Sequence, residues 1–416
     1  MLINEHDTQI LRELAAKQAE AAASPEMAKK ADLWRRHNDL ETNEPVISMD
    51  PQLGWCEILD DADLQCEGEL ARSWEKWIRM NLFWAYELKD DTVIDDLFPV
   101  EDVYTSTGWG LDPYRRGQDE NRRKAYHIDT MLEDYERDFP KLHFPQIIFD
   151  DKKTEERMSE AHRVFDGLLQ PFSFNMYWWS LGYPWGITRF FVAIRGLENF
   201  LCDFYEEPEW MKKMIDFLTE GTMQLIDSLE ENNRLRSNTG NILIGSGGFG
   251  FTNQLPTPAY PGAPVKCRDM WGFVESQETS TVSPQMYGEF VFPALLKLAS
   301  RFGLNAYGCC EPFENKWDWI KQIPNLRRIS VSPWANRPLS MEILGNKYLA
   351  SHKLHPGRLA TPVMDEDVVR KDLREALDVS INGCPELIMK DTTTLGGSGA
   401  NAIRWVQLAR EEIAKT

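Results

Sequence analysis

Residues 271–310, WGFVESQETSTVSPQMYGEFVFPALLKLASRFGLNAYGCC, read as one strand–helix–strand unit. WGFVES and LNAYGCC are short runs of apolar and β-favouring residues, while PQMYGEFVFPALLKLASRFG between them is amphipathic at helical spacing. Two strands joined by a helix of that length predict parallel neighbours in one sheet.

The same alternation extends in both directions. From about residue 92 the candidate strands are TVIDDLFPV, FPQIIFD, PFSFNMYW, NILIGSG, WGFVES, LNAYGCC, RRISVSP, KYLASH and ELIMKD. Helical patterns such as PEWMKKMIDFLTEGTMQLIDSLEE and AIRWVQLAREEI lie between them. Some eight repeats over about 300 residues predict an α/β protein built on a closed (β/α)8 TIM-type barrel rather than an open sheet. Ahead of it, residues 7–41 read as helical, with Leu11, Leu14 and Ala15 along one face. EPVISMD (44–50) reads as extended and 69–88 as a helix. The expected domains are therefore an N-terminal, mainly helical cap over 1–91 and the barrel over 92–416. No repeat, low-complexity tract or Pro/Gly linker marks the boundary.

Composition narrows the function. Against 46 Lys and Arg stand 66 Asp and Glu, a net charge of −20. Such a chain repels phosphate backbones and anionic lipid, so neither nucleic acid nor a membrane surface is an expected partner. No apolar run approaches a membrane span, and the N-terminus lacks the basic start and apolar stretch of a signal peptide. Seven cysteines without a CxxC pair suit a reducing compartment, and the expected location is cytoplasmic. The chain holds 15 Trp, 12 Tyr and 20 Phe, more aromatic surface than folding alone calls for.

GSGGFG (245–250) fits the dinucleotide fingerprint literally, yet the prolines at 256, 258, 261 and 264 forbid the helix such a site needs. The better reading is a Gly- and Pro-rich loop after a barrel strand, with 246–265 placed as an active-site lid. YGCCEP (307–312) ends a strand and would project two thiols, Tyr307 and a carboxylate from the functional rim. Strand alternation lets one of Cys309 and Cys310 face the lumen and leaves open which. Further metal ligands would come from other strand ends: Glu278 in ESQET, His352 in ASHK and Asp391 in MKDTTT. Two buried, inert thiols are the competing reading. Cys384 precedes its strand and falls at the opposite rim. No HxxxH, HExxH or G-x-S-x-G occurs, and His127, His143, His162 and His355 have no ligand-like spacing. NMYWWSLGYPW (175–185) supplies Tyr177, Trp178, Trp179, Tyr183 and Trp185, and SPWAN supplies Trp334. Aromatics at successive strand ends suggest a site for a flat, apolar ligand. EDYERD (133–138) and DEDVVRKD (365–372) read as solvated acidic faces.

With these residues in place, the chain from about 170 to 416 resembles the uroporphyrinogen decarboxylase superfamily. The resemblance rests on GYPWGITRFFVAIRGLENFLCDFYEEPEWMKKMIDFLTEG (182–221), SQETSTVSPQMYGEFVFPALLKLASRFG, LNAYGCCEP, LRRISVSPW and ELIMKDTTT, in that order. It implies a distorted β/α barrel. The arginine-rich motif of the true decarboxylases is missing, and RRGQDENRR (115–123) is not that pattern. The other branch comprises corrinoid-dependent methyltransferases, whose zinc site is typically His-x-Cys with a distant Cys. Here Tyr307-Gly308-Cys309-Cys310 stands at the first position and KDTTT around Asp391 at the second, a harder and more oxygen-rich set. The overall pattern is similar to the O-demethylating methyltransferases of anaerobes.

The resemblance thus implies an enzyme that moves a methyl group from a small methylated substrate, an aryl methyl ether, to cob(I)alamin carried by a separate corrinoid protein. Glu278, Cys309 or Cys310, and Asp391 would hold zinc or stabilise the leaving group. Tyr307 is the candidate acid, and Tyr177, Trp178, Trp179, Trp185 and Trp334 the candidate aromatic walls. A homodimer is compatible with all of this. Alternatives are methyl transfer to a thiol or tetrahydrofolate, a uroporphyrinogen-type decarboxylase, and a non-catalytic corrinoid- or tetrapyrrole-binding protein.

Overall fold

The computed structural model describes residues 3–117, 127–174 and 186–416. Its strands are β1 Val46–Met49, β2 Leu97–Glu101, β3 Tyr104–Ser106, β4 Tyr114–Arg116, β5 His127–Asp129, β6 Ile147–Phe149, β7 Gln170–Phe174, β8 Trp271–Val274, β9 Leu304–Tyr307, β10 Leu326–Val331, β11 Leu349–Lys353 and β12 Cys384–Met389. Six of them form a parallel sheet in the order β1-β12-β11-β10-β9-β8. β2 and β7 form a separate parallel pair, and β3–β6 and β4–β5 are short antiparallel pairs.

The α/β alternation is as expected, but the six-stranded sheet is open, not closed into a barrel. Its two edges show why. On β1 the free N–H of Ile47 donates to Asp91 Oδ2 and that of Met49 to Asp90 Oδ2, each at 2.7 Å. On β8 the amide of Asn238 accepts from Trp271 N–H and donates to Trp271 C=O, both at 2.8 Å. Edge groups that a closing strand would pair are satisfied by side chains instead. The predicted strand NILIGSG does not form. Gly245 takes φ +59 and the chain doubles back, with Ile244 N–H donating to Gly248 C=O at 2.9 Å.

The expected boundary at residue 91 does not divide a cap from a sheet, because β1 lies before it and pairs with β12. The expected helix over 7–41 is two, Glu5–Ala22 and Pro25–Asn38. Pro25 lacks an N–H and biases Ser24 away from helical angles, so the first helix stops and the second starts there. The helix Glu69–Phe83 runs on as a π-turn over Trp84–Leu88.

Register sorts the sheet into two faces. Ile47, Met49, Leu387 and Met389 share one face and pack with Leu373 and Trp405 of the helices Glu366–Val379 and Ala400–Ile413. Ser48, Arg328, Ser330, Ser351, Lys353 and Glu386 share the other, which is polar and yet buried. GSGGFG covers that polar face. Gly247 stands over Arg328 and Gly248 over the buried Trp34 ring, so close that an added Cβ would lie 2.2 Å from Arg328 Cδ or from Trp34 Cζ3. Gly248 N–H also donates to Glu386 Oε2 at 3.2 Å. The head of the 246–265 loop is therefore a buried plug and not the expected lid, and no helix follows it.

EDYERD is not wholly solvated: Asp138 is buried and paired with Arg137 and Lys141 at 2.7 Å each. Among the described residues no helix is long and apolar enough to cross a membrane.

The plug makes a clear prediction. Gly248→Ala should cost about 1–3 kcal/mol by overpacking against Trp34, measured as a lower denaturation midpoint with an unchanged m-value. Wild-type stability in that variant would show that the loop is not held against Trp34.

Candidate functional site

In open parallel sheets ligands bind beyond the carboxyl ends of the strands. Here the chain leaving β8 carries Glu275 and Glu278, that leaving β9 carries Cys309, Cys310 and Glu311, and that leaving β12 carries Lys390 and Asp391. Gly308 makes the turn after β9 with φ +92, a conformation that favours glycine. Glu311 then joins two loops. It is fully buried, and its carboxylate accepts from Ser276 N–H at 3.0 Å and from Cys309 N–H at 2.9 Å. Ser330 Oγ donates to Cys309 C=O at 2.7 Å from β10.

Three carboxylates meet on this side. Burial pushes Glu311 up to about 7, against the opposing pull of its two backbone N–H donors. Glu275 is pushed well above the carboxylate range, first by burial and then by the negative charges of Glu278 and Glu311. Glu275 Oε2 accepts from Gln277 N–H at 2.9 Å. Glu278 is held from the helix Ile187–Arg195, where Thr188 Oγ1 donates to it at 2.8 Å.

Cations approach from the β11–β12 side. Lys390 lies 3.8 Å from Asp391 Oδ1, and Lys353 is buried with its Nζ donating to Ser351 Oγ at 2.8 Å. Burial, then the neighbouring Lys390 charge, lowers Lys353 to about 7.

Between the two flanks sit the thiols, with their sulfurs 3.6 Å apart. The alternation argument does not apply to them, because both lie past the end of β9 in the turn. A hydrogen bond from Cys310 and the positive charge of Lys390 hold Cys309 down to about 6, in spite of burial. The same hydrogen bond, together with burial, drives Cys310 up, so the pair is one thiolate and one thiol. Cys310 Sγ lies 3.8 Å from Asp391 Oδ2.

The remaining expected residues are distributed otherwise. His352 is on the helix-facing side of β11, fully buried, with Nε2 and Ser380 Oγ 2.8 Å apart. Burial lowers it to about 3, so it is a neutral core histidine outside the thiol cluster. Tyr307 is also on the helix side, its hydroxyl 3.2 Å from that of Tyr287 and 3.4 Å from Ser276 Oγ. Burial raises it, and its proton is engaged within the core rather than offered at the rim. Trp334 is 63% exposed and stacks on His355 at 4.9 Å with the ring planes 12° apart. Cys384 opens β12 at the opposite end, as expected, and is buried. Tyr177, Trp178, Trp179, Tyr183 and Trp185 lie outside the described residues.

Zinc needs three or more converging protein donors to be held here. Among the described residues no three His, Cys, Asp or Glu side chains form such a group. Glu278 is bonded to Thr188 and His352 faces the helices, so the expected donor set does not fit the metal. Sequence reasoning passed over Glu275, Lys353 and Lys390. The available signal was position: each stands at or just past the carboxyl end of a strand.

The arrangement defines an α/β protein whose open parallel sheet carries buried carboxyls, two touching thiols and lysines at its carboxyl ends. No family model matches the chain, and no curated protein matches it. Among solved structures it is similar to a methyltransferase from Methanosarcina mazei, at 11% identity over 73% of this chain and 77% of that one, with a TM-score of 0.42.

The Cys309 environment can be titrated. Its alkylation by iodoacetamide should reach half its maximal rate near pH 6, because the thiolate is the nucleophile. Lys390→Met removes a stabilising cation and should move that midpoint up by roughly one unit. An unchanged midpoint would show that Lys390 does not act on the thiolate.

Proposed function

We propose that this chain is a methyltransferase that takes a methyl group from a small methylated substrate, an aryl methyl ether, and passes it to cob(I)alamin on a separate corrinoid protein. One observation carries the reading: burial raises the carboxyls of Glu275 and Glu311 at the carboxyl ends of adjacent strands, Glu275 well above the usual range. The sequence resemblance to corrinoid-dependent methyltransferases adds support.

Breaking an aryl ether leaves an electron pair on oxygen, and a phenol holds its proton with a pKa of about 10. Expelling that oxygen is therefore far easier if it is protonated as the bond breaks. The corrinoid supplies the nucleophile for the methyl carbon, and the other parts belong to this chain. Glu275 is the better acid of the two carboxyls, because Glu311 spends both oxygens on backbone N–H groups. Glu311 acts by its place beside Glu275, where its charge keeps the proton on its neighbour. In the balanced step the C–O pair moves to oxygen, the oxygen takes the Glu275 proton, and Glu275 is reprotonated from water. Lys390 adds positive field near the developing charge. The indole of Trp334, exposed past β10 with one face on His355, is a candidate wall for the substrate ring.

Free cob(I)alamin, a strong reductant and a panel of methyl donors test this. Methylcobalamin should form with an aryl methyl ether, and kcat should fall as pH rises through the Glu275 titration, because the acid form is the active one. Glu275→Gln should lower kcat by roughly 10²–10⁴-fold with KM little changed. Cobalamin binding without methyl transfer from any donor would support the non-catalytic alternative. A full rate in Glu275→Gln would remove the acid from the scheme.

A further inference from the structure

The methyl-transfer scheme leaves the Cys309–Cys310 pair unused. We propose that these two thiols form an oxidative modification site, which a hydroperoxide converts reversibly into a disulfide between adjacent residues. This goes beyond the proposed methyl transfer and does not depend on it.

Geometry carries the proposal. The two sulfurs are in contact at 3.6 Å, Cys310 is exposed and Cys309 partly so. Access to a small oxidant and a resolving partner are thus both present. Cys66, Cys267 and Cys384 are buried, whereas Cys56 is partly exposed and Cys202 exposed, and these last two serve as internal controls. Glu311 and Ser330 hold the backbone of Cys309 from either side, so the thiols meet on an anchored turn. The two thiols also differ in environment: Cys310 and the Lys390 charge lower Cys309, while Cys309 and burial raise Cys310.

The chemistry balances in two steps. The Cys309 thiolate attacks the peroxide, an S–O bond forms and the O–O bond breaks. The peroxide is reduced to an alcohol, or to water for hydrogen peroxide, taking a proton from solvent. Cys310 then attacks the Cys309 sulfur, the S–S bond forms, and the S–O bond breaks. The departing hydroxide takes the Cys310 proton as water. Two electrons pass from the dithiol to the peroxide.

Reversibility follows from the covalent frame. Adjacent Cα atoms are about 3.8 Å apart, short of the usual ~4.4–6.8 Å across a disulfide. A bond closed there is strained, and strained or exposed disulfides are the readily reduced ones. Closure also removes the thiolate charge next to Lys390 and Glu275 and pulls on the bond between Cys309 N–H and Glu311.

The full-length reduced protein is treated anaerobically with one equivalent of hydrogen peroxide, alkylated, digested and weighed. The peptide bearing Cys309 and Cys310 should lose two hydrogens before Cys202 or Cys56 is modified, and dithiothreitol should restore it. In Cys310→Ser, with its thermal unfolding checked against wild type, dimedone should trap a sulfenic acid on Cys309. In Cys309→Ser oxidation of Cys310 should slow by at least ~10-fold. The proposal is overturned if Cys202 or Cys56 reacts first, or if wild-type Cys309 goes on to sulfinic acid with no disulfide. An equal dimedone yield in wild type and Cys310→Ser overturns it as well. None of these outcomes touches the methyl-transfer assay, so the two readings fail separately.

Discussion

A buried ion pair organises the polar face of the sheet. Arg328 Nε donates to Glu386 Oε1 at 2.8 Å from β10 to β12, and neither side chain reaches solvent. Burial opposes the charge on Glu386, yet Arg328 and then His37 keep its carboxyl below the usual range. Around the pair gather Asn38 Oδ1, which accepts from Arg328 Nη2 at 2.7 Å, and Gly248 N–H on the other carboxylate oxygen. Asn38 Nδ2 donates to the carbonyls of Phe249 and Phe251. The N-terminal helix Pro25–Asn38, the glycine plug and two central strands are thus tied through one charged core. Such a pair adds little net stability over a hydrophobic substitute, but removing one partner strands a buried charge at about 3–5 kcal/mol. Its role here is to fix which segments cover the face.

The rim follows from that arrangement. With the face below sealed by charge and by the plug, Glu275, Glu311 and Lys353 at the strand ends are buried. Desolvation then decides protonation: carboxyls on the β8–β9 side rise and the lysine on β11 falls, while Cys309 is lowered by a local hydrogen bond and a cation in spite of burial. Opposite shifts in neighbouring groups at one edge of a sheet are what acid–base and nucleophilic chemistry draw on.

Part of this was legible in the chain. The strand–helix–strand reading of 271–310 holds, with β8 at Trp271–Val274 and β9 at Leu304–Tyr307, because hydrophobic periodicity is a local property. The Pro-rich run after GSGGFG ruled out a nucleotide-binding helix for an equally local reason. Closure of the barrel was not legible. It failed where Asp90, Asp91 and Asn238 take the edge hydrogen bonds, and no spacing rule shows which partner an edge N–H will choose. GSGGFG misleads in the same way: it reads as the head of a lid loop, whereas Gly247 and Gly248 serve close approach to Arg328 and Trp34.

By itself the sequence determined the α/β alternation, the position of the YGCC turn past a strand and the net negative charge. Each depends on residues near one another in the chain or on a simple sum of charge. Only the tertiary structure decided that Tyr307 and His352 face the helices, that the two thiols touch, and that burial raises the carboxyls of Glu275 and Glu311. Those outcomes depend on register, on the side of the sheet a residue occupies and on how much water is excluded around it, all set by segments far apart in sequence.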